Sequence, residues 1–347
     1  MTVIPRSVLA QLPKAELHCH LDGSVRPDTL LELGREYGVA MPREDAEALR
    51  EYMIVRDAHN LEEYLARFQT TLSVMQTADA LERIAYELAV DAALEGVWYL
   101  ETRFAPNLNT RGGLRSEQAL EAAIKGLDRA RRDCGIIARV IVCALRTLPP
   151  SSSMEMARLA VDFRGKGVVG FDLAGAEHGN PASAHKEAFS HARAHDLPCT
   201  CHAGEGDGAG SVRDAVHSCC ASRIGHGTRL IEDQELTGFV NDRRIAVEVC
   251  LTSNVQTRAV GSIEEHPLPE YLRRGLNVVL NTDNRLMSGT TLTDEYQLAA
   301  QFLGLGFDDL ARIALNGFES AFLPWNERQA LLSRARETID AQRGSAP

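Results

Sequence analysis

Residues 168–205 read VVGFDLAGAEHGNPASAHKEAFSHARAHDLPCTCHAGE. An apolar run ends in a carboxylate and a glycine. A helical stretch near 181–195 follows, and a second apolar run ends in His202-Ala-Gly-Glu205. Apolar runs of strand length joined by helices imply parallel strands buried on both faces. The unit repeats in both directions. Towards the N-terminus it passes through IIARVIVCAL (136–145) and VWYLETRFAP (97–106) to ELHCHL (16–21). Towards the C-terminus it passes through RIGHG (223–227), IAVEVCLTSN (245–254) and LNVVLNTD (276–283).

Eight such runs alternating with helices predict a closed (β/α)₈ TIM-type barrel. A doubly wound open sheet competes, but no G-x-G-x-x-G follows the first strand. The 347 residues suffice for one domain, 1–347, with a helical insertion after strand 1 at about 26–76. Extra helices are expected at the C-terminal end. Within the insertion, Leu61, Tyr64, Leu65 and Phe68 recur at helical spacing in NLEEYLARFQTTLSVM. They form either a core-facing stripe or a lid over a pocket mouth. Ser116 is the expected N-cap of the helix before strand 3.

The net charge of −11 excludes a protein that grips nucleic acid through its phosphates, which needs a basic face. It fits a small, uncharged or cationic ligand. The N-terminal stretch has no long apolar run of the signal-peptide kind, and no stretch approaches a membrane span. The eight cysteines lack the look of a disulfide framework. A cytoplasmic protein with reduced cysteines and no membrane partner is expected, as a monomer or a homodimer.

In a barrel of this kind the reactive groups stand at the C-terminal ends of the strands. Strand 1 ends in His18, His20 and Asp22. Strand 4 ends in Asp172, Gly175 and Glu177, and strand 5 in His202 and Glu205. Strand 6 ends in His226, and strand 8 in Asn281, Asp283 and Asn284. Strands 2, 3 and 7 offer Glu101 and Arg103, Arg146, and Ser253 and Asn254. HxH alone is a common chance pattern. Four histidines and Asp283 at one barrel mouth point to a metal. His18, His20, His202 and Asp283 supply three nitrogens and a carboxylate with a position left for water, a set that suits Zn²⁺ ahead of Fe²⁺, Co²⁺ or Mn²⁺. Strand 4 has no lysine to bridge a second ion, so one metal is expected. Bound water would lose its proton at a pKa near 7 rather than 15.7. Glu205 then either gives a proton to the substrate or holds a ligand histidine. His226 and Asp283 are placed to orient the hydroxide and take its proton.

The ordered set HxHLDG, DLAGxE, HAGE, GHG and NTD resembles the adenosine deaminases of the amidohydrolase superfamily, from about Pro13 to about Leu332. The segments ETRFAP, LTDEYQLA and ESAFLP belong to the match. The resemblance implies that His18, His20, His202 and Asp283 hold zinc, that Glu205 protonates purine N1, and that His226 positions the hydroxide. It implies that the Gly175 N–H bonds N3, that Asp22 binds the ribose 5′-hydroxyl, and that Leu61, Tyr64, Leu65 and Phe68 form a gate. Asn284 stands where many members have a second Asp that binds N7; its amide NH₂ donates without needing to be protonated. Ala176 replaces a common acidic residue. The expected reaction is hydrolysis of adenosine and 2′-deoxyadenosine to the inosines and ammonia. The alternative substrates are adenine, a 5′-modified adenosine or aminodeoxyfutalosine. A cytidine-type zinc deaminase has H-x-E…P-C-x-x-C, and here the cysteines of Pro198-Cys-Thr-Cys201 are one residue too close. A non-catalytic relative would be expected to lack Glu205 or a ligand.

Overall fold

The computed structural model describes residues 4–343. Met1–Val3 and Gly344–Pro347, the ends of the expected 1–347 domain, lie outside the described residues. Eight parallel strands form the centre: β1 (Lys14–His20), β2 (Val97–Phe104), β3 (Ile137–Leu145), β4 (Val168–Ala174), β5 (Thr200–Ala203), β6 (Arg223–His226), β7 (Ala246–Val249) and β8 (Val278–Leu280). They pair in sequence order, β1 to β4 and β5 to β8. Two seams close the ring. Phe171 N–H donates to Pro198 O (3.1 Å) between β4 and β5. Between β8 and β1, His20 N–H donates to Asp283 O (2.6 Å) and Asp283 N–H to His18 O (3.0 Å). This is the expected (β/α)₈ barrel, and its strands are buried on both faces.

Helices follow each strand. Four of them, Pro27–Tyr37, Ala46–Met53, Leu61–Leu65 and Phe68–Val74, occupy the insertion after β1. Three more, Leu292–Phe302, Phe307–Ser320 and Trp325–Arg343, extend the C-terminal end.

Two features tune the ring. The pairing of β1 with β2 gains a residue between Glu16 and Cys19, a bulge of the kind that re-aims side chains beside active sites. Its two freed amides, those of Leu17 (2.7 Å) and His18 (3.1 Å), both donate to Asn281 Oδ1. At the opposite end the chain crosses under the barrel: Phe322 N–H donates to Glu101 (2.6 Å), and the Arg223 guanidinium lies 3.5 Å from the centre of the Phe322 ring.

Three local expectations are corrected. Leu61, Tyr64, Leu65 and Phe68 do not share one helix. The chain breaks at Ala66 and Arg67, where the Arg67 guanidinium is drawn back to Tyr52 O and Asp57. Ser116 is the first residue of its helix rather than the cap. The open Arg115 N–H is met by Gln118 Oε1 (3.0 Å) instead. Strand 7 ends at Val249, and Ser253 and Asn254 lie on the short helix Leu251–Gln256.

Candidate metal centre and substrate pocket

His18 and His20 reach the barrel axis from β1, His202 from β5, and Asp283 from the turn after β8. His20 Nε2 lies 3.1 Å from His202 Nε2. Asp283 Oδ1 lies 3.3 Å from His18 Nε2 and 3.4 Å from His20 Nε2. His18 Nε2 is buried and has no hydrogen-bond partner among the described residues. Imidazole nitrogens crowded together around a carboxylate oxygen, one of them orphaned, fit a bound divalent ion, and a three-nitrogen, one-oxygen set suits Zn²⁺. Donor atoms of His18, His202, His226 and Asp283 also lie within 4.8 Å of one another, so distance alone does not separate His20 from His226 as a ligand.

Buried acids fix two of these rings. Glu248 Oε2 accepts from His18 Nδ1 at 2.8 Å, and Asp172 Oδ2 from His202 Nδ1 at 3.1 Å. Arg103, wholly buried, bridges Asp172 (2.9 Å) and Glu248 (3.0 Å). Arg223 and Thr200 hold the other oxygen of Glu248. Ser253 donates to Asp283 Oδ2 at 2.6 Å. Asp283 and His226 both adopt left-handed backbone (φ 61°), uncommon for residues other than glycine and concentrated at functional sites.

Beside this cluster lies a cavity of about 390 Å³, within the range of small-molecule sites. His20, Asp22, Leu61, Tyr64, Leu65, Phe68, Gly175, His202, Glu205, His226, Asp283 and Asn284 all line it. His18 lies beneath, buried. The residues expected from sequence are thus brought to one place. Glu205 is buried, 3.4 Å from His226 Nε2. Burial, then the charges of Asp283 and Glu177, push its carboxyl well above the usual carboxylate range. It can therefore stay protonated and give that proton away. Burial likewise pushes the Asp22 carboxyl up to about 7. Asp22 Oδ1 is buried without a hydrogen-bond partner among the described residues. Gly175 takes φ +97° at the end of β4, a backbone that suits glycine.

Asn284 is engaged from within the protein. Its Nδ2 donates to the Tyr64 hydroxyl at 3.1 Å, and that hydroxyl lies 3.1 Å from Ser288 Oγ. Tyr64 thus ties the helix Leu61–Leu65 to the turn after β8. A Cβ at Gly23 would come within 1.8 Å of Asn284 Oδ1, so only glycine fits beneath the asparagine.

Residues 13–338 match the sequence profile of the family described as adenosine deaminase. The chain belongs to the adenosine deaminase family. An adenosine deaminase from Mycobacterium sp. (strain JLS) is 41% identical over 342 residues, which span 93% of this chain and 94% of the relative. Among solved structures, an amidohydrolase with bound zinc from Burkholderia ambifaria superposes with a TM-score of 0.90 at 27% identity, covering 99% of this chain and 95% of the other. The adenine deaminase from Arthrobacter aurescens gives 0.87 at 28%, covering 94% and 99%.

Membership of the adenosine deaminase family bears out the resemblance carried by HxHLDG, HAGE and NTD. The sequence reading missed Glu248 and gave no role to Asp172, Asn281 or Glu177. Glu177 accepts three successive amides, those of Gly204 (2.6 Å), Glu205 (2.9 Å) and Gly206 (2.7 Å), and so fixes the loop that carries Glu205. A lone carboxylate in the apolar strand AVEV was the available signal for Glu248. Replacing Glu248 by Gln is expected to weaken zinc binding about 10–100-fold, read by competition with a chelator. Unchanged affinity would show that His18 needs no such support.

Proposed function

We propose that the protein hydrolyses adenosine and 2′-deoxyadenosine to inosine and 2′-deoxyinosine with release of ammonia, using one Zn²⁺ per chain held by His18, His20, His202 and Asp283. The observation that carries the substrate reading is the unpaired, buried Oδ1 of Asp22 at the pocket wall. A buried acceptor without a partner is costly, and a ribose 5′-hydroxyl supplies the missing donor. Among the described residues no Lys or Arg lines the cavity, and its carboxyl groups are those of Asp22, Glu62, Glu205 and Asp283. A 5′-phosphate would face carboxylates there, which favours a nucleoside over a nucleotide.

When bound, the zinc supplies the Lewis acidity that makes water nucleophilic at neutral pH. The chain's own groups do the rest. The Gly175 N–H and Asp22 hold the purine N3 edge and the sugar. Leu61, Tyr64, Leu65 and Phe68 cover the base and exclude bulk water. His226 and Asp283 orient the attacking oxygen towards C6. Glu205 gives its proton to N1, which keeps it, as the ring loses aromaticity; the C6 amino group takes the proton of the added hydroxyl by way of Asp283 and leaves as ammonia, and the carbonyl of inosine forms. We further propose that the chain is one hydrolase domain with the insertion at about 26–76 as its lid, working in the cytoplasm. All eight cysteines are free, and no helix among the described residues is long and apolar enough to cross a membrane.

The second reading, adenine as substrate, draws on the structural likeness to an adenine deaminase. A panel of adenosine, 5′-deoxyadenosine, adenine and AMP decides between them. Losing the bond to Asp22 costs about 1–3 kcal/mol, so kcat/KM for 5′-deoxyadenosine should fall roughly 5–150-fold below adenosine. Asp22→Ala should narrow that gap. Faster turnover of adenine than of adenosine would replace the nucleoside reading by the second one.

A further inference from the structure

The group behind each imidazole decides what the ring presents in front. Behind His18 and His202 stand the carboxylates of Glu248 (2.8 Å) and Asp172 (3.1 Å). An ionised carboxylate only accepts. Both rings therefore carry their proton on Nδ1 and turn an Nε2 lone pair to the metal position.

His226 is backed differently. Its Nδ1 lies 3.0 Å from Asn254 Nδ2. The orientation of that amide is fixed by what lies beyond it. Asn254 Oδ1 is 3.2 Å from His266 Nε2, and His266 Nδ1 accepts the backbone N–H of Leu268 at 3.1 Å. A backbone N–H can only donate, so His266 Nδ1 is bare and its proton sits on Nε2. That proton goes to Asn254 Oδ1. A flipped amide would set two N–H donors against each other. The amide NH₂ therefore faces His226, whose Nδ1 must accept. A neutral His226 then carries its proton on Nε2, the nitrogen 3.4 Å from Glu205 Oε2. The relay is buried behind the pocket wall: Asn254 is 0% exposed, His226 1% and His266 3%. Burial pushes His266 down to about 3, so it stays neutral.

We propose that Asn254 and His266 are positioning residues that hold His226 as its Nε2–H tautomer, making it a hydrogen-bond donor to the attacking oxygen rather than a ligand or a base. Distance alone places His226 among the candidate ligands; the relay behind it removes it. The nitrogen that faces the pocket bears a proton, and the one with the lone pair faces away. The acceptor for the nucleophile's proton is then Asp283. This inference rests on the metal-hydrolase reading of the site but not on the identity of the purine.

The test is ¹⁵N NMR of histidine-labelled, zinc-loaded protein, which separates protonated from bare ring nitrogens. His226 should show a bare Nδ1 and a protonated Nε2. Asn254→Asp keeps the shape but offers only acceptors, so the His226 proton should move to Nδ1 and kcat should fall at least ~10²-fold, with one zinc retained. His266→Leu removes the anchor and should lower kcat with KM little changed. His266→Gln rebuilds the pattern, an amide NH₂ towards Asn254 and an oxygen towards Leu268 N–H, and should recover most of that loss. The His266 pair keeps the test open if Asn254→Asp fails to fold. A proton on Nδ1 in the unaltered protein, or equal kinetics for the Leu and Gln variants, overturns the proposal. Failure of the adenosine reading would appear in the substrate panel and leave the NMR result intact.

Discussion

Glu205→Gln should lower kcat for adenosine by about 10²–10⁴ while zinc content and fold stay unchanged. The amide is close in shape but has no acidic proton to give to N1. The loop stays put, because Glu177 grips it through the backbone amides of Gly204, Glu205 and Gly206 and not through the replaced side chain. The pH profile sharpens the expectation. Burial, Asp283 and Glu177 hold the Glu205 carboxyl well above the usual carboxylate range. In the proposed mechanism the protonated form is the active one, so activity attributable to Glu205 is present below its folded pKa and lost as pH rises through it. The Gln variant should lack that alkaline limb. Steady-state rates across pH, with metal analysis of the same samples, read both. Turnover within about tenfold of the unaltered protein would assign Glu205 to holding a histidine instead.

Arg103→Leu should destabilise the protein by about 3–5 kcal/mol, the usual cost of removing one partner of a buried ion pair. Arg103 is wholly buried and joins Asp172 at 2.9 Å to Glu248 at 3.0 Å. Without it, two carboxylates remain inside the barrel facing each other's field. The direction with pH is also fixed. Burial acts to raise both acids. His202 and Arg103 overcome it at Asp172, and Arg103 and Arg223 at Glu248, so both sit well below the usual carboxylate range. Groups depressed in this way stabilise the fold above their unfolded pKa of about 4, and that stability is lost as pH falls through the folded value. Leu at 103 should therefore move acid unfolding to higher pH. Urea melts at pH 7 and an acid titration followed by circular dichroism measure the two effects. A melt unchanged at both would mean that water or relaxation replaces the guanidinium.

The barrel was legible because parallel strands buried on both faces read as unbroken apolar runs between helices, as in VVGFDLA and IIARVIVCAL. The site was legible because its histidines and acids stand at strand ends, flanked by glycine. The supporting groups were not. Glu248 holds His18 on β1 and Thr200 on β5, Arg103 reaches Leu17, Asp172 and Glu248, and Asn281 holds the freed amides of β1, and no local pattern links positions more than 80 residues apart, as Arg103 and Leu17 are (|i−j| = 86). Asn254 was read as the end of strand 7 because the helix Leu251–Gln256 has six residues, too few for periodicity to distinguish it from the end of a strand, and His266 lies outside any strand or helix, where no pattern marks it. The stretch Leu61–Val74 broke into two helices because a tertiary demand, Arg67 reaching Tyr52 O and Asp57, overrode a helical pattern that continued through it.

The seam between β8 and β1 has a consequence for how the protein is made. Asp283 exchanges backbone hydrogen bonds with His18 and His20, so the residues that close the ring are the same ones that surround the zinc position. A ribosome delivers His18 and His20 early and Asp283 only after more than 260 further residues (283 − 20 = 263). Until the last strand docks, the two histidines have neither their carboxylate partner nor their ring. On the proposed ligand set, ion capture is thus tied to the docking of β8, because binding to an assembled site is also folding free energy. Truncated products, lacking the last strand, would be left without the full ligand set and therefore poor competitors for the cell's zinc.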